Sequence, residues 1–248
     1  MTEQFFKINF LFDKDQVQEK ISVHINNNYA ADYICVCDGV IMNNVHTNKV
    51  YREIINGGIF SICDSGFIPL YLKWLYGIKR EQYAGSSIFK DIIELRKYRM
   101  CFLGTSQNTL DGLQNNLIQI DSRVSDMLFW ELPFCKVEDF NYKEIARRIE
   151  ETHSEIIWIA LGAPKQEIFM SKLKPYLTRG VMIAVGAAFK FYSGGADVKR
   201  APKWMIKYHM EFIHRIMMEP KKQIGRCWNI IKYLPIMLYQ EKYKKNKI

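Results

Sequence analysis

The sequence predicts an α/β fold: an open, mostly parallel, Rossmann-like sheet with helices on both faces, extended by a basic helical C-terminal appendage. Two apolar runs carry most of this reading, SEIIWIALGA (154–163) and RGVMIAVGAA (179–188). Each is nearly continuous, the pattern of a strand buried on both faces. Between residues 33 and 117, shorter β-rich runs alternate with helical stretches, as parallel βαβ units require. The charge supplies the third observation. Residues 199–248 hold 13 Lys and Arg against Glu211, Glu219 and Glu241, whereas the 248-residue chain carries only +9. A nearly neutral body therefore ends in a strongly cationic tail. We expect a catalytic α/β body over 1–197, with a lobe boundary near 95, and the appendage over 198–248.

Taken in order, YICVCDGV (33–40) reads as a strand with a helix following through about 51–56. GIFSICDSG (58–66) is a second strand, and IPLYLKWLYG (68–77) is helical. YRMCFLGTS (98–106) is a strand ending in small residues, followed by the helical TLDGLQNNL (109–117). Residues 120–140 give no firm pattern. After the run at 154–163, Pro164 suits a first helical turn, where no N–H is needed. The stretch from Lys199 reads as a helix ended by Pro220. The apolar run WNIIKYLPIMLY (228–239) follows, broken by Pro235.

Composition narrows the function. At 48% hydrophobic and 25% charged residues the chain can build a full core. No run approaches the roughly 20 apolar residues of a spanning helix, and the N-terminus lacks the layout of a signal peptide. A cytosolic protein, attached to a membrane face, is expected. The six cysteines include no CxxC pair and no zinc spacing; Cys35 and Cys37 read as core residues. Neither a Walker A sequence nor a GxGxxG after a strand is present, which argues against an ATPase or a dinucleotide-dependent oxidoreductase.

Open parallel sheets bind ligands beyond the carboxyl ends of their strands, so the residues after each apolar run are the candidates. Gly162-Ala163-Pro164-Lys165-Gln166-Glu167 joins a buried strand to a helix, whose N-terminus directs free N–H groups and partial positive charge into the crevice. Lys165 adds a full charge, and Gln166 an amide able to donate or accept. The stretch reads equally as a diphosphate cradle or as an ordinary strand-to-helix turn. Gly104, Thr105 and Ser106 repeat the arrangement more weakly, and Gly186 follows the last run. Asp64 is either a general base or a helix cap, and Asp38 is the same case. Asp13 and Asp15 have the spacing of a metal-binding DxD pair, but cap the coming helix more naturally; no metal site is expected. In the tail, Arg226 and the Lys242–Lys247 cluster flank the 228–239 run, the composition of an interfacial membrane anchor. Basic residues alternating with Trp204, Tyr208, Trp228 and Tyr233 would also suit nucleic acid, but apolar residues in helical stripes favour the membrane.

Several segments together resemble the WecB/TagA/CpsF family, glycosyltransferase family 26: YAGSSIF (83–89), FLGTS (102–106), IALGAPKQE (159–167), AVGAAFKFYSG (184–194), VKRAPKWM (198–205) and MEFIHRIMMEP (210–220). The resemblance implies metal-independent, inverting transfer of a hexose or N-acetylmannosamine-type sugar. The donor would be a UDP-sugar and the acceptor a polyprenyl-diphosphate-linked sugar on the inner face of the membrane, with no cofactor. By resemblance Asp64 is the catalytic base and Gln166 an active-site residue. Lys165, Arg215 and Arg226 are the cations to meet leaving-group charge, and Asp38, Gly104, Thr105, Gly162 and Gly186 complete the substrate-binding set. The chain departs from the family pattern at Ser65, inserted between Asp64 and Gly66, and at Ser87, Asp38 and Lys190. Two alternatives stand beside this reading, a nucleotide-binding module with a nucleic-acid-binding tail and a family member without activity. A homo-oligomer is compatible with either.

Overall fold

Among the described residues eight strands form one sheet, in the spatial order first, second, fourth, third, eighth, seventh, fifth, sixth. The structure is a computed structural model and describes residues 1–194, 205, 213, 216, 217 and 220–245. The strands are β1 (Glu3–Phe5), β2 (Ile8–Phe10), β3 (Asp32–Cys37), β4 (Phe60–Cys63), β5 (Met100–Gly104), β6 (Leu128–Trp130), β7 (Ile156–Ala160) and β8 (Val181–Ala184). All pairings are parallel except the β1–β2 hairpin. Strands from both sides of residue 95 share this sheet, and β3 pairs with β8 through Asp32–Val181, Tyr33–Met182 and Ile34–Ile183.

Helices cover both faces, which is why the central strands read as unbroken apolar runs. One face packs against α1 (Lys14–Asn26), α5 (Gly85–Glu94), α6 (Gln107–Ile118) and α9 (Ala188–Tyr192), with Ile34, Phe60, Phe102, Trp158 and Ile183 at its centre. The other packs against α2 (Gly39–Thr47), α3 (Lys49–Asn56), α4 (Phe67–Tyr76), α7 (Tyr142–Glu151) and α8 (Lys165–Leu173), around Cys35, Cys63, Leu103, Ile157 and Met182. Cys35, Cys37, Cys63 and Cys101 are buried free thiols. Burial pushes their ionisation upward, so they behave as small hydrophobes.

The last helix, α10 (Pro220–Lys245), runs on through Pro235, so the expected break there does not occur. Proline removes one backbone donor and crowds the preceding turn, but both halves of this helix are fastened to the body. Ile230, Tyr233 and Leu234 lie on the docked side before Pro235, and Met237, Leu238 and Glu241 after it. Pro220, expected to end a helix, begins one, a position its missing N–H suits. Of the helix expected from Lys199, only Met205, Ile213, Ile216 and Met217 fall among the described residues, and these are helical. Arg215 lies outside the described residues.

Glu241 joins the two ends of the chain. Its buried carboxylate accepts from the Phe6 amide (2.9 Å) and the Tyr76 hydroxyl (2.9 Å). Phe6 and Lys7 form the tight turn of the β1–β2 hairpin, both with positive φ, as a two-residue turn of the primed type needs. Residues 120–140, illegible in the sequence, contain two short 3₁₀ turns and β6, a three-residue edge strand that is only half-buried.

Candidate active site

The parallel strands end along one edge of the sheet, where folds of this kind bind ligands in a crevice, and each end delivers a short turn to it. After β3, Asp38 is spent on α2: its Oδ1 accepts from the amides of Val40 (2.9 Å) and Ile41 (3.0 Å). It is the N-cap that local sequence allowed. Asp64, after β4, behaves differently. The helix that follows it is preceded by Gly66, with no side-chain cap. The Asp64 carboxylate instead accepts from the Gly85 amide (2.7 Å), at the N-terminus of α5. Gln82 holds the Asp64 carbonyl, and the Asp64 amide donates to the Cys37 carbonyl (2.9 Å). Backbone and side chain are thus both fixed, with the carboxylate half-buried at the crevice.

Gly85 sits in a tight place, where a side chain would require its neighbours to shift. A Cβ on it would lie 3.0 Å from Val36 Cγ1, 3.7 Å from Asp64 Oδ1 and 3.7 Å from the Val185 Cα. The ends of β3, β4 and β8 therefore meet at this one residue. From β8 the line continues to Gly186, whose Cβ would stand 3.7 Å from Gln166 Oε1. Gln166 in turn accepts from the Gly162 amide (3.0 Å), after β7. Gly104, ending β5, has φ +98°, and a Cβ there would be 2.8 Å from the Ala160 carbonyl oxygen. Asp64, Gly186, Gln166, Gly162 and Gly104 are thereby linked from strand end to strand end. Thr105 follows with φ +59°, a conformation unfavourable for a β-branched residue and often found at functional sites.

Two predicted cations are placed. Lys165, first in α8, donates to the Cys135 carbonyl and lies 4.9 Å from the Phe140 ring centroid. Its charge is held against the loop after β6, beside the fully exposed Phe134. Arg226 lies one turn before Ile230, whose Cδ1 comes within 3.0 Å of where a Gly39 Cβ would be. Since Gly39 follows Asp38 directly, α10 packs beside the end of β3 through Ile230; Arg226 makes no hydrogen bond or ion pair among the described residues. Asp13, considered as part of a metal pair, caps α1 by accepting from the Gln16 amide (2.8 Å).

The sequence reading did not single out Gln82, Gly85, Tyr51 or Glu167. Gly85 and Glu167 lie inside the segments YAGSSIF and GAPKQE, but nothing local marked their roles. Glu167 is completely buried, accepting from Gln166 Nε2 (2.7 Å) and the Tyr51 hydroxyl (3.0 Å). Burial raises its carboxyl to about 7, against the hydrogen bonds it receives, with Asp38 adding repulsion.

A doubly covered parallel sheet, with a fixed carboxylate and glycine-rich turns at its carboxyl edge, belongs to the class of open α/β folds that bind ligands at that edge. The profile of the Glycosyl transferase WecG/TagA/CpsF family matches residues 5–247, and the chain belongs to that family of glycosyltransferases. Among curated relatives, the chain is 26% identical over 207 residues to the N-acetylglucosaminyldiphosphoundecaprenol N-acetyl-beta-D-mannosaminyltransferase of Bacillus subtilis (strain 168). That match covers 80% of this chain and 75% of the relative. The protein of the same description from Bacillus spizizenii (strain ATCC 23059 / NRRL B-14472 / W23) is 22% identical over 204 residues, covering 79% and 74%.

Proposed function

We propose that this glycosyltransferase moves a sugar of the N-acetylmannosamine or hexose type from UDP to a polyprenyl-diphosphate-linked N-acetylglucosamine. The descriptions of the two Bacillus relatives support this acceptor and favour the N-acetylmannosaminyl donor. The observation that carries the mechanism is the Asp64 carboxylate, fixed at the crevice by the Gly85 amide. In a single inverting displacement the acceptor hydroxyl oxygen bonds to the anomeric carbon and its proton passes to Asp64. The bond from that carbon to the β-phosphate oxygen breaks, and UDP leaves with the electron pair. Positive charge must meet the departing diphosphate, and in a metal-independent reaction it comes from the turns at Gly104–Thr105, Gly162 and Gly186 and from Lys165, Arg215 and Arg226.

In this reading the acceptor's lipid brings the enzyme to the inner face of a membrane. Among the described residues no helix is long and apolar enough to cross one. Support for attachment at the surface comes from α10. With its docked side used up, the helix still turns Ile224, Trp228, Ile231, Tyr239 and Tyr243 outward, Trp228 and Tyr239 being 68% and 69% exposed. Exposed Lys232 and Lys242 stand among them. An apolar stripe with lysines is the composition that binds an anionic lipid interface.

The test is UDP release from a panel of UDP-sugars, with a short-chain polyprenyl-diphosphate-N-acetylglucosamine acceptor and EDTA present. Acceptor-dependent turnover in EDTA is the expected result. Turnover that returns only on adding a divalent cation would overturn metal independence, and silence across the panel would overturn the donor and acceptor assignment.

A further inference from the structure

Glu167 has no access to a substrate, yet it is a carboxylate with no basic side chain against it among the described residues. Burying such a group is costly unless hydrogen bonds satisfy it, and its two oxygens are satisfied in different ways. Oε2 faces the Tyr51 hydroxyl of α3 (3.0 Å), and Oε1 faces Gln166 Nε2 (2.7 Å).

The consequence falls on Gln166. An amide has one accepting and one donating end, and its orientation is set by what stands on either side. Here the Gly162 N–H requires the oxygen (3.0 Å), and Glu167 Oε1 requires the nitrogen. Both neighbours enforce the same orientation, so the flipped amide would face a donor with its N–H and an acceptor with its oxygen. One N–H of Nε2 is used by Glu167. Among the described residues the other has no partner, and Nε2 lies 4.0 Å from where a Cβ on Gly186 would stand.

We infer that Glu167 is a positioning residue of the active site, which acts through Gln166 to present an N–H donor, never an acceptor, to the bound sugar nucleotide. The group Gln166 meets is then a hydrogen-bond acceptor: a phosphate oxygen, an acyl carbonyl or a hydroxyl oxygen. This rests on the proposed function in taking Gln166 to touch the substrate. The arrangement does not depend on Glu167 being charged. With the proton on Oε2, Tyr51 becomes the acceptor and Oε1 still faces Gln166.

Side-chain amide spectra of the ¹⁵N-labelled full chain test the orientation without any substrate. The Gln166 signals are assigned by their loss in Gln166→Met. We expect them to exchange slowly with solvent in the parent and in Glu167→Gln, and to collapse to solvent-like behaviour in Glu167→Met. In transfer assays Glu167→Gln should stay within about threefold of the parent, while Glu167→Met loses about 10–100-fold in kcat/KM. The double variant Gln166→Met/Glu167→Met should be no worse than the poorer single one. Multiplying losses, or a Glu167→Met enzyme with unchanged amide signals, would overturn the inference. If Glu167→Met does not fold, Glu167→Gln decides at pH 8, where the carboxylate is ionised: weakening a charge-assisted bond should move the Gln166 amide proton upfield, and an unmoved signal refutes the contact. A parent that turns over no donor would sink the proposed function, while the spectra would still decide the orientation.

Discussion

Asp64 and Gly85 are 21 residues apart in sequence, and the carboxylate of the first accepts from the amide of the second at 2.7 Å. Asparagine can keep that bond through its Oδ1 while losing the ability to take a proton. Asp64→Asn should therefore fold like the parent, with an unchanged melting temperature, and lose about 10²–10⁴-fold in transfer rate. A folded Asp64→Asn enzyme with near-parental turnover would refute the base assignment.

The same pair predicts the effect of a methyl group. Gly85→Ala places a Cβ 3.0 Å from Val36 Cγ1, so the start of α5 or the end of β3 must give way. We expect transfer to fall by roughly tenfold or more with the fold retained, measured as kcat/KM beside thermal melting. Full activity would mean that the Asp64 geometry tolerates movement of α5.

Gly104 makes a stability prediction. A side chain there meets both an unfavourable φ of +98° and the Ala160 carbonyl at 2.8 Å. Gly104→Ala should cost about 1–3 kcal/mol or more, read from urea unfolding. An unchanged unfolding midpoint would contradict the close approach of β5 and β7 at this edge.

Glu167 makes stability depend on pH. Its carboxyl ionises near 4.5 in the unfolded chain and near 7 in the fold, raised by burial. Between those values the folded protein holds a proton that the unfolded chain has released. Its stabilising contribution is thus complete below pH 4.5 and is lost as pH rises through 7. The parent should lose on the order of 2–3 kcal/mol from this group between pH 5 and 8. Glu167→Gln should lack that component. Equal pH slopes for the two proteins in urea unfolding would show that the group does not titrate as described.

Sequence reading found what is locally periodic and missed what is paired at a distance. Ile156–Ala160 and Val181–Ala184 are buried at every position, so their strands were visible as apolar runs. The three-residue β6 and the β1–β2 hairpin have no such run, and their pairing partners decide them. Glu167 looks like an ordinary first-turn glutamate, a place where acidic residues usually face solvent and the helix dipole. Its burial comes from Tyr51, 116 residues earlier. Asp38 and Asp64 are indistinguishable as turn aspartates, and only the arrival of α5 separates a cap from a candidate base. Lys165 was placed correctly at the start of a helix, but the loop carrying Cys135, which captures its ammonium, lies in the stretch that could not be read.

The outward face of α10 can be separated from its docked face. Replacing Trp228, Ile231 and Tyr239 with serine should weaken sedimentation with phosphatidylglycerol-containing vesicles while leaving the melting temperature within a few degrees. Unchanged vesicle binding would remove this stripe from the membrane reading. By contrast, Glu241→Ala should cost about 1–3 kcal/mol, since it leaves the Phe6 amide and Tyr76 hydroxyl without the carboxylate.

That carboxylate also sets an order of events during synthesis. The eight described strands end at Ala184, so a growing chain can complete its sheet and bring Asp64 to Gly85 while α10 is still unmade. The Phe6 amide must wait for residue 241, almost the whole length of the chain. The Ile230 contact beside Gly39 and the outward stripe of α10 therefore arrive together, after the sheet. A chain released before α10 would lack Met237 from its packed interior and leave the Phe6 amide without its acceptor.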